Sequence, residues 1–233
     1  MSLKNIKISA PRYDAIIPST QVKVKITPFK VMDEKVLLIA SESKDNTQMV
    51  QALRDVISSC VDPVDATKLE SFDLEYLFLR LRSISVGEVS ELIIPCTECA
   101  HKNKVSVDIS KVEVYFNEEH TDMVKISDDL MFKMKFIDLG EIANVENKEN
   151  ITELLGIVAK SIETVFYGEE TYDIGPGEFD DVMAILEQIS AADFRKLQEF
   201  FETQPKLQKE VKFKCEGCEK SNEIILEGLM NFF

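Results

Sequence analysis

The sequence predicts an α+β fold: a single mixed domain with β-hairpins, a four-cysteine β region and a helical insertion. Three observations predict it. Short runs alternate apolar and polar residues between turn clusters, as at Val22, Val24 and Ile26, which marks half-buried strands. Other segments repeat apolar residues at helical spacing. Finally, two Cys-x-x-Cys pairs each lie between two strand-like runs, which places cysteines at the tips of two hairpins.

Residues 1–95 read as an N-terminal hairpin plus helices. Ala15-Ile16-Ile17 is a short apolar run, Pro18 to Gln21 a turn cluster, and Val22 to Ile26 the return strand. Asp33 and Glu34 open an amphipathic stretch ending near Ala40, and acids in a first turn suit the helix dipole. A second helix runs from about Asn46 to Cys60, with Met49, Val50, Leu53, Val56 and Ile57 on one face. Asp62-Pro63 stops it. A third runs from about Ser71 to Arg82. It carries Phe72, Leu74, Leu77, Phe78, Leu79 and Leu81 on most of its sides, so it is predicted to be a central core helix.

Residues 96–140 and 206–233 read as the four-cysteine β region. Val89 to Ile94 leads into Cys96-Thr97-Glu98-Cys99, and Val105, Val107 and Ile109 alternate after it. Val211 and Phe213 lead into Cys215-Glu216-Gly217-Cys218, and Ile224 to Leu226 follow. A further hairpin is expected where Val124 and Ile126 face Leu130, Phe132, Met134 and Phe136 across Ser127-Asp128-Asp129. Residues 141–205 read as a mainly helical insertion. Asn150 is a plausible cap for a helix carrying Ile151, Leu154, Leu155, Val158, Ile162 and Val165. Gly175-Pro176-Gly177 breaks the chain. Val182 to Ile189 form another helix, and Ser190 caps a last one with Phe194, Leu197, Phe200 and Phe201.

The charge balance excludes several functions. With 27 Lys+Arg against 42 Asp+Glu the net charge is −15, a poor match for phosphate backbones or anionic membranes. No apolar run reaches the roughly 20 residues that span a bilayer. Met1 to Lys7 lacks the apolar centre of a signal peptide. A soluble, cytoplasmic chain that binds neither nucleic acid nor membrane is expected.

A strand, a tight Cys-x-x-Cys turn and a return strand make a zinc knuckle. Two knuckles supply four thiolates, Cys96, Cys99, Cys215 and Cys218, for one structural Zn²⁺ per chain. Such a site has no open coordination position and is not catalytic. It would pin the C-terminal segment to the middle of the chain across an intervening 115 residues. Gly217 suits a turn that needs a positive φ. Free thiols, a redox pair or disulfides are the alternatives. A redox Cys-x-x-Cys normally opens a helix, which neither pair does, and a cytoplasmic chain keeps its thiols reduced. His101 is a candidate substitute ligand or an exposed loop residue. Cys60, on an apolar helix face, reads as a small core residue.

Catalytic signatures are missing. No phosphate-binding glycine loop, nucleophile elbow or H-E-x-x-H occurs. The acidic pairs Glu118-Glu119, Asp128-Asp129, Glu169-Glu170 and Asp180-Asp181 read as solvated faces. The apolar tail Phe232-Phe233 is expected to pack onto its own core, with a partner-docking hook as the alternative.

Several long segments resemble the baseplate hub proteins of T4-type tailed bacteriophages. They are Pro18-Ser19-Thr20, Thr27-Pro28-Phe29 and Glu34 to Leu38, then Phe72 to Phe78 and Leu81 to Glu88. The resemblance returns at Phe200-Phe201-Glu202, Pro205-Lys206-Leu207, Gly228-Leu229 and Phe232-Phe233, and it is weak from Val112 to Glu178. It implies a non-enzymatic protein of the baseplate hub: an assembly factor or chaperone binding hub subunits in the host cytoplasm, or a permanent hub subunit of the virion. Ser85, the serine of its L-R-x-x-S-V-G-E stretch, reads as a cap or turn residue, because no histidine pattern accompanies it. A third reading is a zinc-ribbon regulator of nucleic acid or polymerase. It rests on a local basic patch of Lys209, Lys212, Lys214 and Lys220.

Overall fold

The computed structural model describes residues 9–143, 151–175 and 177–232. Its elements begin with β1 (Tyr13–Ile16), β2 (Lys23–Ile26), α1 (Val31–Ser43), α2 (Asn46–Cys60), β3 (Val61–Asp62) and α3 (Ser71–Ser85). The chain continues with β4 (Val89–Pro95), β5 (Lys102–Asp108), β6 (Glu113–Tyr115), β7 (Met123–Lys125), β8 (Leu130–Met134), α4 (Leu139–Ala143) and α5 (Ile151–Ser161). It ends with β9 (Ile162–Tyr167), β10 (Glu170–Asp173), α6 (Phe179–Leu186), α7 (Ala191–Thr203), β11 (Lys206–Lys214) and β12 (Ser221–Glu227). This is an α+β architecture of helices and small sheets. It forms two compact units: one up to Val114 together with the chain from Lys206 on, the other Tyr115–Pro205.

In the first unit β1, β2 and β3 form one sheet. Val24 and Ile26 point inward while Lys23 and Lys25 face solvent, as period-two alternation requires. The cap of α2 is Asp45, whose carboxylate accepts the N–H groups of Thr47 and Gln48. α2 buries Leu53, Val56 and Ile57, and α3 buries Phe72, Leu74, Leu77, Leu79 and Leu81. Polar contacts fasten outlying segments to α3. Asp73, 1% exposed, accepts both the N–H and the hydroxyl of Ser19. Ser85 Oγ donates to Leu81 O and accepts the Phe29 N–H at 3.0 Å, the turn role expected for it. Glu75 accepts the Leu229 N–H at 3.2 Å.

The hairpins β4–β5 and β11–β12 share an apolar layer of Leu92, Ile94, Val105, Val107 and Val211, with Phe213, Ile224 and Leu226 against it. The tail follows as a 3₁₀ turn, Leu229–Phe232. Phe232 is fully buried, and its carbonyl accepts the Ser90 hydroxyl at 2.9 Å. The tail therefore folds back into this unit; Phe233 lies outside the described residues.

In the second unit the sheet order is β10-β9-β8-β7. Val124, Ile126, Phe132 and Met134 of the β7–β8 hairpin share a core with Val158, Val182, Leu197 and Phe200 of the helices. The hairpin expected to belong with the cysteines thus packs with the helical part. A second difference concerns α5, which stops at Ser161; Ile162 to Tyr167 is strand, not helix. The register explains the mistaken period. Lys133 pairs with Thr164 and Met134 with Ile162, leaving Glu163 as a bulge. The bulge puts Ile162 and Val165 on one face although they are three residues apart, which mimics helical spacing. Ser190 caps α7 as expected, accepting the Asp193 N–H at 3.1 Å. The Asn150 cap lies outside the described residues, as does Pro176.

Candidate metal centre

The two Cys-x-x-Cys turns close with the same hydrogen bonds. Cys96 N donates to His101 O at 2.8 Å, and Ala100 N to Cys96 O at 3.0 Å. Cys215 N donates to Lys220 O, and Glu219 N to Cys215 O, each at 2.9 Å. The residue four positions after the first cysteine takes the left-handed conformation in both, Ala100 at φ +57° and Glu219 at φ +61°. The expectation that Gly217 supplies the positive φ is therefore corrected: Glu219 supplies it. Gly217 is needed for space instead, because a Cβ there would stand 2.9 Å from His101 Cγ.

The structure brings together all four predicted ligands. The sulfurs of Cys96, Cys99, Cys215 and Cys218 lie within 4.8 Å of one another. Cys96 and Cys218 sulfurs are 3.7 Å apart, and those of Cys99 and Cys215 are 3.6 Å apart. A disulfide needs about 2.05 Å, so the thiols are free. A tetrahedron of thiolates at about 2.3 Å from a zinc ion has edges of about 3.8 Å. The residues therefore fit such an ion, and they can hold one.

Electrostatics point the same way. The N–H groups of Glu98 and Cys99 lower the Cys96 thiol to about 6. Burial pushes Cys215 up, but the N–H groups of Cys218 and Gly217 outweigh it. For Cys99 the His101 N–H favours ionisation, yet the Cys218 sulfur, burial and the Cys215 sulfur leave it up at about 12. Four thiolates this close repel one another, and a divalent cation is what lets all four ionise.

Two asparagines complete the site. Asn103 and Asn222 each stand seven residues after the first cysteine of their own turn, and they are 2% and 3% exposed. Asn103 Oδ1 accepts the Glu216 N–H at 2.8 Å while its amide donates to His101 O at 2.9 Å. Asn222 Oδ1 accepts the Thr97 N–H at 2.9 Å while its amide donates to Lys220 O at 3.1 Å. Each asparagine therefore bridges its own turn to the other. Sequence reasoning missed them, although the repeated spacing Cys-x-x-Cys-x-x-x-Asn carries the signal.

The remaining candidates take ordinary places. His101 is exposed and packs over Gly217, outside the four-sulfur group. Cys60 is buried on α2. The four acidic pairs are exposed. The lysine patch is engaged: Lys212 pairs with Glu210 and Glu223, Lys214 with Glu219, Lys220 with Glu98, and Lys209 donates to Lys111 O. Among the described residues no helix is long and apolar enough to cross a membrane.

The family model described as T4 bacteriophage base plate protein matches residues 10–233, nearly the whole chain. The chain belongs to this family. No curated protein and no solved structure matches it. Membership places this baseplate protein in the virion or in its assembly, among other baseplate proteins. The matched range contains both cysteine turns and both asparagines of the baseplate protein's candidate metal centre.

Proposed function

We propose that the chain is a non-enzymatic assembly factor of the baseplate hub, a chaperone that binds hub subunits in the host cytoplasm during tail morphogenesis. Its four cysteines hold one structural Zn²⁺. Helix α1 carries the partner-binding part of this reading. Of its thirteen residues only Ala40 is buried, while Val31, Met32, Leu38 and Ile39 are exposed. Large apolar side chains left exposed together on one helix are a surface on which another protein can dock. The non-enzymatic part is supported by an all-sulfur centre that, once metallated, has no position for a substrate.

The test is quantitative mass spectrometry of the protein in infected-cell lysate and in purified virions, normalised to a known baseplate subunit. Abundance in lysate with near absence from virions is the expected result. A fixed whole-number ratio in virions would make the chain a permanent hub subunit and end the chaperone reading. Metal analysis of the purified protein is expected to give about one zinc per chain. Stably folded protein without metal would remove zinc from the reading.

A further inference from the structure

The second unit holds nearly all of the chain's net charge and an apolar groove. Residues 115–205 contain 21 Asp+Glu and 7 Lys+Arg, a net −14 of the chain's −15. Between the β9–β10 hairpin and α6 lies a groove of about 690 Å³. Its walls are Val165, Ile174, Val182, Ile185 and Ile189. Tyr167 and Tyr172 stand at it with 59% and 48% of their surface exposed. The charged side chains that line it are Asp173, Glu178 and Asp181, with no lysine or arginine among the described residues. Glu170, which accepts the Tyr172 hydroxyl, adds a further carboxylate beside them.

We propose that this groove binds an apolar peptide segment of a protein partner, flanked by lysine or arginine. The volume suits a few bulky aliphatic or aromatic side chains. Exposed tyrosines beside an apolar trough are the residue type that anchors peptide interfaces. The carboxylates and the field of the whole unit choose the sign of the flanking charges. An acidic segment would bury its side chains equally well but meet repulsion at the rim, and a neutral one would gain no attraction there. The proposal rests on the reading that the chain works by binding other proteins. Its test uses no baseplate protein, so its failure and the failure of that reading are separate results.

The test is fluorescence anisotropy of the full chain with three labelled amphipathic peptides of equal length, built from leucine and lysine, leucine and glutamate, or serine and lysine. The leucine–lysine peptide is expected to bind at least tenfold more tightly than either other peptide. The exposed pair Glu178→Lys and Asp181→Lys is expected to weaken it about tenfold or more. Ile185→Asp is expected to do the same, with a circular dichroism spectrum like that of the parent. Glu118→Lys with Glu119→Lys, outside the groove, is expected to change binding less than twofold. Equal binding of the serine–lysine peptide would reduce the effect to net charge and overturn the proposal. Equal binding of the leucine–glutamate peptide, or no binding at all, would overturn it too. So would a self-association in sedimentation that Ile185→Asp abolishes, since the groove would then be filled by a second copy.

Discussion

Asn103 and Asn222 hold the two cysteine turns of the candidate metal centre to each other. Each satisfies one backbone N–H of the opposite turn and one carbonyl of its own. Asn222→Ala would remove the bond from Thr97 N–H and one of the two bonds to Lys220 O, which keeps the Cys215 N–H, a cost of about 0.5–1.5 kcal/mol per bond at these part-exposed groups. Because such outer groups orient the ligands, zinc affinity is expected to fall roughly 10–100-fold, measured by competition with a chelator. Gly217→Ala is expected to destabilise by about 1–3 kcal/mol through overpacking. The clash is with Cγ and Cβ of His101, and side-chain rotation moves Cγ but leaves Cβ in place. His101→Ala in the same chain should recover only part of the loss, since its Cβ remains; both are read from thermal melts. At this scale the gathering of the four cysteines was legible, because each pair sits in a turn between two strand-like runs. The asparagines and the role of Gly217 were not, because both follow from how one turn meets the other, and the sequence presents the turns 115 residues apart.

Helix α3 shows how an element gathers the unit around it. Its apolar residues bury on several sides, as their all-round distribution predicted. Leu77→Ala is expected to cost about 2–5 kcal/mol in denaturant titration, since Leu77 is fully buried. Its polar residues reach outward to segments far along the chain: Asp73 to Ser19, Ser85 to Phe29, Glu75 to Leu229. These are among the stretches that carry the family resemblance, and the structure gives them a common task. Glu75 adds a pH dependence. Burial raises its carboxyl above the ordinary 4.5, opposed by the Leu229 N–H. The unfolded chain ionises this group first, so stability falls as pH rises from about 4.5 through the folded value. Glu75→Gln is expected to raise the melting temperature at neutral pH. The two curves should converge below pH 4.5, where both side chains are neutral. Elements with a clear period were legible, α2 and α3 among them. β9 was not, because its bulge at Glu163 imposes helical spacing on a strand, and β10 was not, because all four of its residues are exposed.

Over the whole molecule, a nearly neutral unit bearing the cysteines is interrupted by a strongly acidic one. The residues outside 115–205 total 20 Lys+Arg and 21 Asp+Glu. Replacing 115–205 by a short glycine–serine linker is expected to leave a folded, metal-binding protein, because β6 and β11 at the junction are hydrogen-bonded neighbours. Zinc content and a cooperative melt are the measurements. An unfolded product would mean that the cysteine unit needs its insertion. The interruption also sets a clock. A ribosome reaches Cys99 long before Cys218, and at about 5–20 residues per second the 119 positions between them take roughly 6–24 s. Throughout that interval the nascent chain carries half a binding site, with two thiols and no second pair of its own. A metal ion held by all four thiols would therefore be captured late in the life of each chain, only after its last cysteine has been made.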